Sequence, residues 1–391
     1  VQTIKPSPTV ALTGRVAELK AAGKDIIGLG AGEPDFDTPP HIRAAGEHAI
    51  QGGYTRYTPV EGAAELKDAI IEKFRRDNGI RYTRPQILVS TGAKQTIFNL
   101  IMALIDPGDE VIVPAPYWVS YPDITLLAGG VPVTPFAGIA QGYKISAAQL
   151  EAAISPRTRL LVLNSPNNPT GAVYSRAELA AFGTVLAKHP RIVICTDDIY
   201  EHIFWAPEAF ASLLSVCPDL YDRTVTVNGC SKAYAMTGWR LGYCGGPVEL
   251  IKAMASIQGQ STSSPSAIAQ RAAITALNGD QACVREMNAH FKARHDLLVA
   301  RLNQLPGVSC PPGAGAFYAF ANVEAAMREL GHRDDTQFTE HLLEHGVAVV
   351  PGSAFGAPGH IRLSFACSAN TLDEGVQRIE SALKTPSATR M

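Results

Sequence analysis

The 391-residue chain is 46% hydrophobic and 18% charged, with 34 glycines and a formal net charge of -2. That balance describes a globular protein with a large core, and it excludes a basic surface built for nucleic acid or an anionic membrane. The seven cysteines are scattered, with no CxxC pair for zinc or redox chemistry, and they fit a reducing cytoplasm.

In chain order, the N-terminal VQTIKPSPTVALTGR has no continuous apolar run of the kind a secretion signal carries. No later stretch reaches the roughly 18 uninterrupted apolar residues of a spanning helix, so neither secretion nor membrane insertion is expected. GLGAG, Gly28 to Gly32, has the glycines of a dinucleotide loop, but Pro34 and PDFDTPP stand where the helix of such a loop should begin. From about residue 86 short apolar runs alternate with helical patterns: QILVS, AKQTIFNLIMALI, DEVIVPA, a helical stretch through LLAGG, then VPVTPF. RLLVLNS, SRAELAAFGTVLAKH, RIVICTD and TVTVNG continue the rhythm. This is the βαβ pattern of an α/β protein with a mainly parallel sheet flanked by helices. After about residue 280 a long charged helix precedes the short strands AFYAFANV, VAVVPGS and HIRLSFA and a final helix. The expected division is a large domain over 45–285 and a smaller α+β domain made of 1–44 and 286–391.

Ligands of such sheets bind beyond the carboxyl ends of the strands, so the residues just after the apolar runs are read first. NSPNNPTG, Asn164 to Gly171, sets two asparagines between turn-fixing prolines, a rigid platform for an amide donor. TDDIYE places Asp197 and Asp198 directly after the apolar RIVIC, where an aspartate either caps a helix or meets a ligand. GCSKAYAMTGWRLGY sets Lys232 among small and apolar residues, and a lysine desolvated near another cation becomes a nucleophile for an aldehyde. Arg240, read as part of the following strand, supplies that cation or binds a phosphate. In STGAKQ a glycine opens a helix after a strand, which favours an anion at the free amides.

These readings converge on pyridoxal phosphate, which needs a lysine for its aldehyde, a carboxylate at its ring nitrogen, donors for its phenolic oxygen and a phosphate cradle. Lys232, Asp197, Asn168 with Tyr200, and Arg240 with the STGAK turn answer those needs in order.

GAGEPDFDTP, RYTPVEGAAELKDAI, PAPYWVSYPD, NSPNNPTG, DDIYE, SKAYAMTGWR and IRLSFA occur in order over nearly the whole chain. With them the sequence resembles the fold-type I, class I pyridoxal-phosphate aminotransferases, and among these the bacterial aspartate aminotransferases. The resemblance implies that Lys232 is the Schiff-base lysine, Asp197 the ring-nitrogen partner, and Asn168 and Tyr200 the phenolic-oxygen partners. Trp118 would stack on the ring. Gly92, Ala93, Ser231 and Arg240 would surround the phosphate, with Tyr57 arriving from the other subunit of a homodimer. Gly229 stands where the animal-type subgroup has a phosphate-binding serine, which leaves Ser231 as the nearest side chain. Arg362 would take the substrate α-carboxylate through its two-pronged guanidinium, aided by backbone near Gly32. Lys94, in the G-x-K-Q turn, would meet the distal carboxylate of an acidic substrate.

The implied reaction moves the amino group of aspartate or a related acidic amino acid to 2-oxoglutarate. Thr9 in its KPSxT context, together with Lys94, keeps prephenate or aromatic substrates open, and β-elimination is the alternative chemistry on the same fold. A cofactor-binding regulator fused to a DNA-binding region is the other class. No basic helix-turn-helix precedes residue 30, which counts against it. HLLEH, His341 to His345, matches a zinc-hydrolase spacing, but TQFTEHLLEHG reads as an amphipathic helix with Phe338 and Leu342 inward and Gly346 as its stop. No metal is expected.

Overall fold

The computed structural model describes residue 4 and residues 8–385, and among these residues twelve strands organise the fold. The first eight are β1 (Ile27–Gly28), β2 (Ile87–Ser90), β3 (Glu110–Ile112), β4 (Val131–Val133), β5 (Thr158–Asn164), β6 (Val193–Asp197), β7 (Thr224–Gly229) and β8 (Gly242–Gly245). β9 (Tyr318–Asn322), β10 (Val347–Ala348), β11 (Val350–Pro351) and β12 (His360–Ser364) follow. Seven of them form one sheet in the order β2-β8-β7-β6-β5-β3-β4. β8 alone runs against the direction shared by the other six, so the sheet is mainly parallel.

Continuous apolar runs suit these strands because both faces of the sheet are covered. In β5, Leu160 and Val162 join one core while Leu161 and Leu163 join the other. The first core runs on past the sheet to Phe291, Phe317 and Phe365, so the large sheet and the C-terminal elements share apolar contacts. Helices start where the sequence offers a cap: Ser146 and Ser175 accept from the amides of Gln149 and Glu178, whose side chains return to the cap amides. The helix Asp335–Glu344 begins on Asp334 and buries Phe338 and Leu342, as its periodicity predicts.

Two local expectations are corrected. VAVVPGS is not one strand: β10 pairs with β1, whereas β11 joins β12 and β9 in a separate three-stranded sheet. Arg240 is not in a strand either. It sits in the turn before β8 with φ 53°, a left-handed conformation that only a locally constrained non-glycine residue adopts. It closes a turn on Thr237, whose carbonyl accepts from the Arg240 amide at 3.4 Å and from its Nη1 at 2.8 Å. Two residues on, a Cβ at Gly242 would lie 2.1 Å from the Ala93 amide nitrogen, so the β8 backbone presses against the start of the helix Ala93–Leu104.

Candidate active site

Three parallel strands end side by side on one edge of the sheet, and the chemistry follows from what comes next on each. The β5–β6 register sets Asn164 opposite Asp197. Asn164 Nδ2 donates to the Asp197 carbonyl at 2.9 Å, and its Oδ1 accepts from the Asn168 amide at 2.8 Å. The asparagine platform is thereby tied to the aspartate. A cavity of about 560 Å³ opens above these ends and is lined by Thr9, Gly32, Ala93, Lys94, Trp118, Asn168, Asp197, Tyr200, Ser231, Lys232, Arg240 and Arg362. Two expected residues lie off this lining. Gly92 caps the neighbouring helix with φ 84°, and Arg240 Nη2 would come within 2.4 Å of a Cβ placed there. Tyr57 is 94% exposed.

Asp197 is buried, and burial raises its carboxyl to about 6 against the pull of a 2.7 Å hydrogen bond from the Tyr121 hydroxyl and one from the Ile199 amide. Burial also brings the Lys232 amine down to about 8, with Glu33 opposing the shift and the Arg362 and Arg240 charges adding to it. The Lys232 ammonium donates to the Gly32 carbonyl at 2.5 Å and lies over the rings of Phe317 and Tyr200. Burial thus moves both groups away from their ordinary ranges, as is common for side chains at functional sites.

Arg362, in β12, is 2% exposed. Its Nη1 donates to Asn168 Oδ1 at 3.0 Å and its Nη2 to the Gly30 carbonyl at 2.7 Å, while Nε is buried with no hydrogen-bond partner. Tyr318 and Phe355 pack against the guanidinium. Among the described residues no carboxylate pairs with it, so a buried cation faces the cavity with hydrogen-bonding capacity left over for an anion. Lys94 reaches the same cavity with its ammonium 4.9 Å from the Trp118 ring centre.

Tyr121, Asn164 and Tyr318 were not singled out in the sequence. Tyr121 holds Asp197, and the Tyr318 hydroxyl lies 3.0 Å from that of Tyr200. Tyr121 and Asn164 fall inside motifs that the sequence displays, PAPYWVSY and NSPNNPTG. Tyr318 carries no such signal, because its role depends on β9 meeting the loop after β6.

The family profile described as Aminotransferase class I and II matches residues 24–379. The chain belongs to this family. This aminotransferase is 56% identical over 390 residues to the aspartate/prephenate aminotransferase of Nitrosomonas europaea, covering 98% of each chain. The crystal structure of the aspartate aminotransferase from Rhizobium meliloti superposes with a TM-score of 0.94 at 48% identity, over 98% of both chains. That of the Thermus thermophilus aspartate aminotransferase with maleate gives 0.92 at 44% identity, over 97% of this chain and 98% of the other. The enzyme is a pyridoxal-phosphate-dependent transaminase of fold type I.

The residues present fit that cofactor. The glycine-opened helix start beside Arg240 offers amides and a cation to a phosphate. A buried carboxylate has the charge to hold a protonated ring nitrogen, and an amine brought down to about 8 suits an aldehyde. The zinc spacing of HLLEH does not gather ligands: among the described residues the one group of three metal-ligating side chains is Asp77, Glu201 and His202.

Proposed function

We propose that this aminotransferase takes the amino group from aspartate and delivers it to 2-oxoglutarate in two half-reactions at one site. The observation that carries the reading is Arg362, a buried guanidinium with an unpartnered Nε and no acid beside it, aimed into the cavity that also holds Lys232. It takes the α-carboxylate. Lys94, at the rim beside Trp118, takes the distal carboxylate, a division that suits a dicarboxylic substrate. Maleate, bound by the Thermus thermophilus relative, is also a dicarboxylate.

Pyridoxal phosphate, when bound, supplies an aldehyde and an electron-accepting ring. Lys232 would hold that aldehyde and, as a free amine, would move the substrate's α-proton. Asp197, which Tyr121 holds by a hydrogen bond, would face the ring nitrogen and favour its protonated form. Asn168 and Tyr200 would donate to the phenolic oxygen, Trp118 would cover the ring, and Gly92, Ala93, Ser231 and Arg240 would receive the phosphate, with Gly32 offering backbone to the substrate.

Prephenate is the second reading, favoured by the name of the Nitrosomonas relative and by Thr9 lining the cavity. Single-turnover spectroscopy with aspartate, glutamate, phenylalanine and tyrosine as donors, and with prephenate as acceptor, separates the two. Arg362→Ala should lower kcat/KM for every donor by about 100-fold or more, as loss of a buried charge-assisted pair does. Lys94→Ala should lower it for aspartate by about tenfold and leave phenylalanine within about threefold. Undiminished aspartate turnover in Lys94→Ala would remove the distal-carboxylate role.

The proposal includes a homodimer in which Tyr57 reaches the partner's phosphate. Its 94% exposure and an open cleft of about 700 Å³ adjoining Arg240 support that reading. It also includes the division into a large domain, 45–285, and a small one, 1–44 with 286–391, supported by the β1–β10 pairing and the two separate main sheets. A cytoplasmic site of action is in keeping with seven free cysteines; among the described residues no helix is long and apolar enough to cross a membrane.

A further inference from the structure

The turn after β6 has two faces. Asp197 and Tyr200 line the cavity, whereas Glu201 points the other way, into a buried network that touches no substrate. Its carboxylate collects three donors from two other parts of the chain. The Lys73 ammonium contacts Oε1, Asn78 Nδ2 donates to Oε2 at 2.6 Å, and Asn228 Nδ2 donates to Oε1 at 2.7 Å. The Lys73 and Glu201 side chains are only 1% and 3% exposed. A buried ion pair is a poor way to gain stability, since desolvation offsets most of the attraction, and such a pair is better suited to fixing one geometry.

The approach from the other side is built for the purpose. Lys73 ends the helix Ala64–Lys73, and the chain then winds as a π-turn through Phe74–Asn78 to Gly79, with φ 69°. On an ordinary α-helix Asn78 would lie about 140° around from Lys73. The wider winding brings positions five apart onto one face, and Asn78 Oδ1 accepts from Lys73 Nζ at 2.8 Å. Asn228, at the end of β7, also binds the Gly229 amide at 2.7 Å, three residues before Lys232. Asp77, Glu201 and His202 could together ligate a metal, but Lys73 already supplies the cation: its ammonium touches Glu201 and lies 4.0 Å from Asp77.

We propose that Glu201, gripped by Lys73 and Asn78, is a positioning residue for amino transfer: it sets the pitch of the turn that carries Asp197 and Tyr200 to the cofactor. The inference rests on the reading of those two residues as cofactor contacts. Weakening the grip loosens both contacts while leaving every group that touches the cofactor chemically unchanged. A slack Asp197 keeps the ring nitrogen less fully protonated, and a slack Tyr200 donates less well to the phenolic oxygen. Both changes favour a proton on the nitrogen shared by Lys232 and the cofactor, so the pH midpoint of the visible absorption rises.

The test compares the wild-type holoenzyme with Glu201→Gln, Asn78→Ala and Lys232→Ala. Pyridoxal phosphate is titrated into cofactor-free protein, the absorption midpoint is read against pH, and aspartate kinetics are measured. Glu201→Gln should weaken cofactor binding by about tenfold and raise the midpoint by about half a pH unit or more. It should lower kcat by about tenfold with KM for aspartate within about threefold. Asn78→Ala should shift cofactor affinity and midpoint in the same directions by less, and it decides the matter if Glu201→Gln fails to fold. A folded variant with unchanged cofactor affinity and an unchanged midpoint overturns the inference, even if its Tm has fallen, because that result describes a structural anchor alone. Lys232→Ala separates the underlying reading: if it still forms the wild-type yellow species, the cofactor assignment itself is wrong, whatever Glu201 does.

Discussion

At position 232 the fold places a lysine where burial and two arginines disfavour its charge. The amine sheds its proton near 8 when folded and near its ordinary value of 10.5 when unfolded, so below about pH 8 the cofactor-free fold carries the full cost of this side chain. The cost fades as pH rises toward 10.5. Lys232→Met should therefore raise the Tm of the cofactor-free protein by about 2 °C or more at pH 7, with the gain shrinking toward pH 10 in a differential scanning series. The adjacent aspartates make a second contrast. Asp197 faces the cavity, whereas burial and then the Glu201 charge push Asp198 well above the carboxylate range, and its Oδ2 is buried without a hydrogen-bond partner. A carboxyl held neutral loses little on becoming an amide. Stopped-flow measurement of α-proton removal should show Asp197→Asn slowed by about 100-fold or more, and Asp198→Asn within about threefold of wild type. The sequence DDIYE presents the two acids as equals; the direction each one faces separates them.

Between elements, the close approach of β8 to the helix Ala93–Leu104 depends on two glycines. Gly242 leaves room for the Ala93 amide, and Gly92 leaves room for the Arg240 guanidinium. Gly242→Ala puts a methyl against backbone that has no flexible end to swing away, and it should cost about 2–4 kcal/mol in a denaturant titration. The same change pushes the helix start away from Arg240, so phosphate-dependent stabilisation should fall with it. Short apolar runs, serine caps and the turn residues made most elements legible, because each is a local preference repeated by its neighbours. Arg240 was misplaced into a strand because a run of apolar and glycine residues carries no mark of where pairing begins. VAVVPGS likewise conceals that two adjacent dipeptides pair in different sheets.

For the whole molecule, the exposed ring of Tyr57 and the cleft beside Arg240 argue for a site completed by a second copy. Tyr57→Ala should leave the unfolding free energy of the separate chain within about 0.5 kcal/mol while weakening cofactor binding in the dimer. Mixing Lys232→Ala chains with Tyr57→Ala chains gives a direct check. In the proposed dimer a hybrid regains one site with both residues intact, so at limiting cofactor activity should rise above that of either parent on mixing, and no rise would count against a shared site.

The sequence by itself determined the class of chemistry, and the candidate residues Lys232, Asp197, Asn168, Tyr200 and Arg362 sit in its motifs, each just after or within an apolar strand. Only the tertiary structure decided which side chains support them. Tyr121 on Asp197, Tyr318 on Tyr200 and Lys73 on Glu201 join residues 76, 118 and 128 positions apart. No local preference encodes such a pair, because its energy exists only once the sheet has brought the two segments together.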